Sequence, residues 1–200
     1  AGNPLIVQRG LTLEHYRNLL WETQFLLFFW NTVITTICAV ALTMAVAVLA
    51  AYSLSRLQFF GSTALAIGIF ITYMIPETLL FLPLFRVVHW MGLLNSKWAL
   101  VVVYPTTILP FTTWIMLGYF SGIPKALDEA ALIDGANWWQ MLTLVFVPVA
   151  MPGIIAATIF AFTICWAGFL YPLAFTYSTS EAVLTVGTVT TLIRGDVLHW

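Results

Sequence analysis

The chain has 200 residues, of which 62% are hydrophobic and 8% charged, against about 45–50% apolar and about 25% charged in soluble domains. This composition excludes a disordered chain, a disulfide scaffold and an ordinary soluble enzyme, and a net charge of -1 with seven Lys+Arg leaves no basic face for nucleic acid. A mean hydropathy of +0.98 points to a lipid bilayer.

Residues 1–24 are mixed in character, with Leu11-Thr12-Leu13-Glu14 opening a short helix. No Met starts the chain, and Ala1-Gly2-Asn3-Pro4 lacks the charged stretch and apolar core of a signal peptide. A membrane span needs about 20 mostly apolar residues. The 33 residues between Glu22 and Arg56 carry no charge, which predicts a first span over about 25–52. Thr32, Thr36, Ala39, Thr43, Ala47 and Ala50 share one of its faces, a small-residue stripe suited to close helix packing. Phe28, Phe29, Val33, Val40 and Leu49 are left for lipid or neighbouring helices. A second span is expected over about 62–85, a loop over 86–97 and a third span over about 98–119. Pro76 and Pro83, then Pro105 and Pro110, fall inside these spans. Such kinks survive in a membrane where protein or a wet cavity satisfies the freed carbonyls.

The 46 charge-free residues between Asp134 and Glu181 are too many for one helix. They divide into a surface segment to about Val147 and a fourth span over about 150–174, followed by a polar stretch over 176–200. The fold class is therefore an all-α polytopic bundle of four spans. Neither Cys38 nor Cys165 belongs to a CxxC or a Cys/His cluster, and His15, His89 and His199 are scattered outside the spans. The sequence offers no catalytic constellation, no metal ligands and no cofactor motif. It has no GxxxxGK[ST] for nucleotide and no HExxH.

Glu77 is the one acidic residue within a span. Intramembrane carboxylates are costly and usually face the bundle interior. Two readings stand: a path or gate residue, or a kink residue that snorkels outward or bonds freed backbone. Tyr73, Trp114, Trp166 and Tyr171 are candidates to line a path with it, since sugar sites combine aromatic surfaces with a few polar groups. Lipid-facing or interfacial belts are the alternative for each aromatic.

The segment 120–147 reads as helix, sharp turn, helix. Pro124 suits a helix start, Asp128 and Glu129 lie early in that helix, and Gly135 can take a left-handed stop. Asn137 caps a second helix from Trp138 to Val147, which Pro148 is expected to end. Leu127, Ala130 and Ala131 share a face, and the alanines leave it shallow. An interfacial helix that merely covers headgroups is the bland alternative.

Glu129-Ala130-Ala131 followed by Asp134-Gly135-Ala136 and Pro148 resembles the EAA loop of the permease subunits of bacterial ABC importers. Asn31-Thr32, Ala51-Tyr52-Ser53-Leu54-Ser55-Arg56, Met74-Ile75-Pro76-Glu77, Leu82-Pro83-Leu84, Gly92-Leu93-Leu94-Asn95-Ser96 and Phe169-Leu170-Tyr171-Pro172-Leu173 extend the likeness over residues 12 to 200. They are similar to the carbohydrate-uptake branch, and within it to the second maltose-type permease. The resemblance implies a multi-pass protein of the bacterial inner membrane that translocates a sugar or related small polar solute. Amino acids, polyamines and glycerol phosphate are the alternative solutes. It also implies a second permease, cytoplasmic ATPase subunits and an extracytoplasmic solute-binding protein as partners. The ATPase-docking loop would comprise Leu127, Asp128, Glu129, Ala130, Ala131, Asp134 and Gly135. The family subunit has six spans, so this chain would lack the first and the last. Where the family often has Trp-Asn-Asp/Glu, Trp166 is followed here by Ala167 and Gly168. With the loop cytoplasmic, Arg56 and Lys125 lie inside, and Arg9, Arg17, Arg86, Lys97 and Arg194 outside. That is the reverse of the positive-inside tendency.

Overall fold

The computed structural model describes residues 13–57, 59–194 and 197–198. Leu11, Thr12, Arg9 and His199 lie outside the described residues. A short helix, α1 (Glu14–Trp21), leads into α2 (Phe25–Arg56), which crosses the whole bundle. Thr32, Thr36, Ala39, Thr43 and Ala47 are all buried along α2. The small-residue stripe is therefore a packing seam, against which α5 (Trp98–Ser121) and α8 (Met151–Ala167) lie. Ala157 and Ala161 answer it from α8, each wholly buried. Phe28 and Val40 are buried as well, facing neighbouring helices rather than lipid.

Two helices, α2 and α5, are each long and apolar enough to cross a membrane, and two bent pairs bring the number to four if each pair is one broken span. The expected second span is not one kinked helix. It divides into α3 (Ser62–Tyr73) and α4 (Glu77–Trp90), set at 99° to each other. Pro76 stands at the break with ψ 136, so the chain is extended there and a new helix starts at Glu77. Pro83, Pro105 and Pro110, in contrast, stay within α4 and α5. Because α4 continues to Trp90, the loop expected to start at residue 86 starts after it.

The loop segment contains α6 (Lys125–Ile133) and α7 (Trp138–Val149), and α7 is bent 78° from α8. Pro148 does not end the second loop helix. The turns Met141–Phe146 widen to π-helical geometry just before it. The wide turn gives the proline ring room where an α-turn would clash with the preceding carbonyl. The break falls instead at Ala150, and Pro152 sits in the first turn of α8. The fourth span also stops short of 174. The helix ends at Ala167, and after Gly168 and Phe169 a short α9 (Leu170–Phe175) follows.

The stretch 176–200, expected as a polar connection, returns to the bundle. Ala182, Val183 and Val186 are buried, and α10 (Leu184–Gly187) packs on α2 before widening into a π turn over Thr188–Leu192. A two-residue antiparallel pair, β1 (Ile193–Arg194) with β2 (Val197–Leu198), closes the described chain.

Polar clusters pin both ends of α2. At one end Asn31 Nδ2 donates to the carbonyls of Ser180 and Ala182, both at 2.9 Å, while Lys97 Nζ donates to Asn31 Oδ1 at 3.1 Å. Glu181 accepts from the Lys97 backbone N–H at 2.9 Å, and Thr32 Oγ1 accepts from Leu184 N–H at 2.8 Å. At the other end Arg56 gathers the loop segment. At about 1.5 Å per residue these clusters are roughly 38 Å apart, enough to flank a hydrocarbon core about 30 Å thick.

Candidate functional site: a broken-span cavity and a peripheral helix–turn–helix

The first site lies between the two breaks, at Pro76 and at Gly168. Glu77 begins α4, makes no ion pair among the described residues, and is exposed to two adjoining cavities. One, of about 330 Å³, is lined by Glu77, Tyr104, Thr107, Gly168, Phe169 and Tyr171, among others. The other, of about 250 Å³, runs past Thr72, Tyr73, Pro76, Glu77, Thr106 and Thr107. Tyr171 is buried and its hydroxyl donates to the Glu77 carbonyl at 3.3 Å, which ties α9 to the start of α4. The Gly168 carbonyl, left free by the end of α8, accepts from Thr185 Oγ1 at 2.7 Å. At each backbone break one carbonyl is therefore bonded by a protein side chain, and both breaks border a cavity. That is the condition under which irregular backbone is stable at membrane depth.

Of the aromatic residues singled out in the sequence, Tyr171 and Tyr73 stand at these cavities, Tyr73 with its ring stacked on Phe111 at 5.0 Å. Trp114 packs on Phe70 at 4.5 Å, and Trp166 lies between Phe162 and Phe29 at 5.3 and 5.9 Å. Neither lines the cavities that Glu77 borders. Tyr104 and Thr107, which do, were not singled out. Their signal is spacing, since they precede and follow Pro105 within one turn of α5.

The second site is α6 and α7. The turn between them is a Schellman arrangement: Gly135 has φ 80, its N–H donates to Leu132 O at 3.1 Å, and Ala136 N–H donates to Ala131 O at 2.9 Å. Asn137 then caps α7 in a reciprocal box, with Gln140 N–H on Asn137 Oδ1 and Asn137 N–H on Gln140 Oε1, both 2.9 Å. The residues grouped from sequence face different ways. Asp128 turns inward to Arg56, 3.5 Å away, and Ala131 is buried against the bundle. Leu127, Glu129, Ala130, Asp134 and Gly135 stay on the open side. They are joined there by Leu132, by Ile133 at 86% exposure and by Trp138 and Trp139. Ala131 thus keeps the inner contact thin and contributes nothing to the outer face, which is more apolar than the alanines alone suggested.

In the sequence Arg56 figures as a charge marker and as the last residue of the Ala51–Arg56 segment, with no structural role assigned to it. Its Nη2 donates to Phe120 O at 2.9 Å and to Ile123 O at 2.6 Å, and its guanidinium lies 4.7 Å from the centre of the Phe146 ring. Phe146 packs edge-on with Tyr52 and Phe120 at 5.1 and 5.6 Å. One side chain therefore joins the ends of α2 and α5, the first turn of α6 and the π turn of α7.

Together these features define a polytopic helical membrane protein with broken spans around a polar cavity and a surface helix–turn–helix clamped to its base. Residues 43–191 match the family described as binding-protein-dependent transport system inner membrane component, and the chain belongs to that family of ABC importer permeases, multi-pass proteins of the inner membrane. It is similar to the inner membrane ABC transporter permease protein YcjP of Escherichia coli (strain K12), with 30% identity over 92% of this chain and 67% of that one. It is also similar to the trehalose/maltose transport system permease protein MalG of Thermococcus litoralis, with 32% identity over 93% and 67%. The chain thus spans about two thirds of the length of these relatives. A crystal structure of a bacterial ABC transporter involved in the import of the acidic polysaccharide alginate contains a chain with the same fold, at TM-score 0.85 and 23% identity, covering 98% of this chain and 69% of that one.

Proposed function

We propose that the chain is the subunit through which an ATP-driven importer passes a sugar or related small polar solute, and that α6–α7 is the contact for its ATPase. The observation that carries this reading is the two-sided character of α6. Asp128 and Ala131 hold the helix to the bundle, while Glu129 and a row of apolar side chains face away from it. A helix that merely rested on headgroups would not need an ion pair on its inner side. Leu127, Ala130, Asp134 and Gly135 complete the outer docking region, with Asp128 and Ala131 as its supports. The partners on this reading are cytoplasmic ATPase subunits, which hydrolyse the ATP, a second permease, and an extracytoplasmic solute-binding protein that delivers the solute. The path runs past Glu77, Tyr73 and Tyr171. Motion of the docked loop reaches it through Arg56 and α2, α5 and α8. A sugar is favoured by the relatives' substrates and by a cavity that offers hydroxyls and one carboxylate without a balancing cation.

Glu129→Lys tests the docking. We expect loss of solute-stimulated ATP hydrolysis and weaker co-purification of the ATPase, with normal membrane insertion. Full transport with the ATPase still bound would overturn it, because charge reversal on a headgroup-facing helix is nearly silent.

A further inference from the structure

We infer that the cavity between α4, α5 and the break after α8 is a hydroxyl-binding subsite for a neutral carbohydrate, with Tyr104 as its specificity-determining residue and Gly168 as the gap that seats the Tyr104 phenol. The inference rests on the importer reading above and deepens it.

Tyr104 is 3% exposed, and its hydroxyl, which is not among the fully buried unpartnered atoms, makes no hydrogen bond within the described residues. The Tyr104 carbonyl, in contrast, accepts from Thr107 Oγ1 at 3.0 Å. A tyrosine hydroxyl in an otherwise buried side chain ordinarily finds a partner, from protein or from what fills the space beside it. This one reaches the 330 Å³ cavity, whose volume falls in the range of small-molecule sites, about 300–1,000 Å³. The Glu77 carboxylate borders the same cavity. Ionised, it only accepts hydrogen bonds, and its two oxygens can take two donors at once. A tyrosine hydroxyl both donates and accepts. Vicinal hydroxyls of a sugar supply what both groups lack. An anionic solute meets repulsion from Glu77.

Gly168 sets the room available. A Cβ there would lie 2.5 Å from the Tyr104 hydroxyl oxygen and 3.0 Å from the nearest ring carbon. Any side chain at 168 would therefore push the phenol aside or cover it. The position is held by Thr185 through the Gly168 carbonyl, so the backbone cannot easily retreat. The missing side chain, the unpartnered hydroxyl and the carboxylate all meet in one cavity.

The test uses the assembled importer with its binding protein in proteoliposomes. Uptake of labelled maltose and trehalose is measured, and then of monodeoxy analogues of whichever is transported. Tyr104→Phe removes one oxygen and keeps the ring, so packing survives. We expect it to raise the KM for the parent sugar about 3- to 10-fold, the worth of one neutral hydrogen bond, while leaving kcat and complex assembly unchanged. Against one monodeoxy analogue, the wild-type preference for the parent should vanish in Tyr104→Phe. A merely structural role would not produce that change. Gly168→Ala should weaken every sugar alike. Transport of a sugar with wild-type KM and wild-type analogue discrimination in Tyr104→Phe would overturn the subsite alone. Uptake of spermidine or glycerol 3-phosphate in place of both sugars would overturn the sugar reading itself.

Discussion

Arg56→Met removes the guanidinium but keeps most of the side-chain stem. Arg56 and Asp128 are 7% and 20% exposed, so the pair is largely shielded from water. Removing one member of such a pair costs about 3–5 kcal/mol, mainly because the other charge is stranded. Asp128 Oδ1 already has no partner. With Oδ2 also orphaned, some water would reach the carboxylate, and the cost should fall near the lower end, about 3–4 kcal/mol. Part of that loss belongs to the carbonyls of Phe120 and Ile123, which lose their charged donor. Asp128→Leu alone should cost less, about 2 kcal/mol, since Arg56 keeps both carbonyls. The double variant removes both charges, so it should be no worse than about 4 kcal/mol, non-additive by about 2 kcal/mol. The assay is unfolding of the purified complex by SDS titration in dodecyl maltoside, with all four members of the cycle compared. A single-variant loss below about 1 kcal/mol, or strictly additive losses, would refute the anchor. In the intermediate range, where the complex still assembles, we expect basal ATP hydrolysis to persist while its dependence on solute is lost.

Gly135→Val acts through backbone strain alone, since nothing lies within 4 Å of a Cβ at that position. A β-branched residue at φ 80 costs about 1–3 kcal/mol, so the turn should re-form differently and solute-stimulated ATP hydrolysis should fail in a complex that still assembles. Retained stimulation would show that the turn angle is not critical. Asn31→Leu removes the donor that holds the Ser180 and Ala182 carbonyls and the acceptor for Lys97. A cysteine placed at Thr179 should then react with maleimide about 10-fold faster, as expected from losing more than one neutral hydrogen bond. An unchanged rate would remove the clamp.

Much of this architecture was legible because charge is so scarce. The gaps bounded by Glu22, Arg56, Lys97 and Lys125 gave α2 and α5 to within a few residues at each end. The small-residue stripe of α2 gave its buried face. The turn of the loop was equally readable, since Gly135 and the Asn137/Gln140 pair act within a few residues of chain. What sequence did not separate was four prolines of similar appearance. Pro105 and Pro110 lie inside a helix packed on both α2 and α8, and tertiary contact outweighs one lost hydrogen bond each. Pro76 has Glu77 after it, an acidic residue in the first turn of a new helix, as Pro124 has Asp128. That pairing was the available signal for a break. The inward turn of Asp128 was not readable, because it depends on Arg56, 72 positions earlier, reaching the end of α5. Tyr104 was hidden for a related reason. Its meaning comes from the gap at Gly168, in the break after a different helix.

What touches Glu129 decides most directly whether α6–α7 docks the ATPase. A single cysteine at position 129, in a permease whose Cys38 and Cys165 are replaced, would be labelled with a benzophenone maleimide and irradiated in membranes holding the whole importer, so that the photoactivated ketone inserts into a C–H bond of whatever touches it. We expect a covalent adduct with the ATPase subunit, its yield changing when ATP is added. A cysteine at Ser180, near the opposite end of α2, should give none. An ATPase adduct from position 180, with none from 129, would contradict both the orientation and the docking role of the loop.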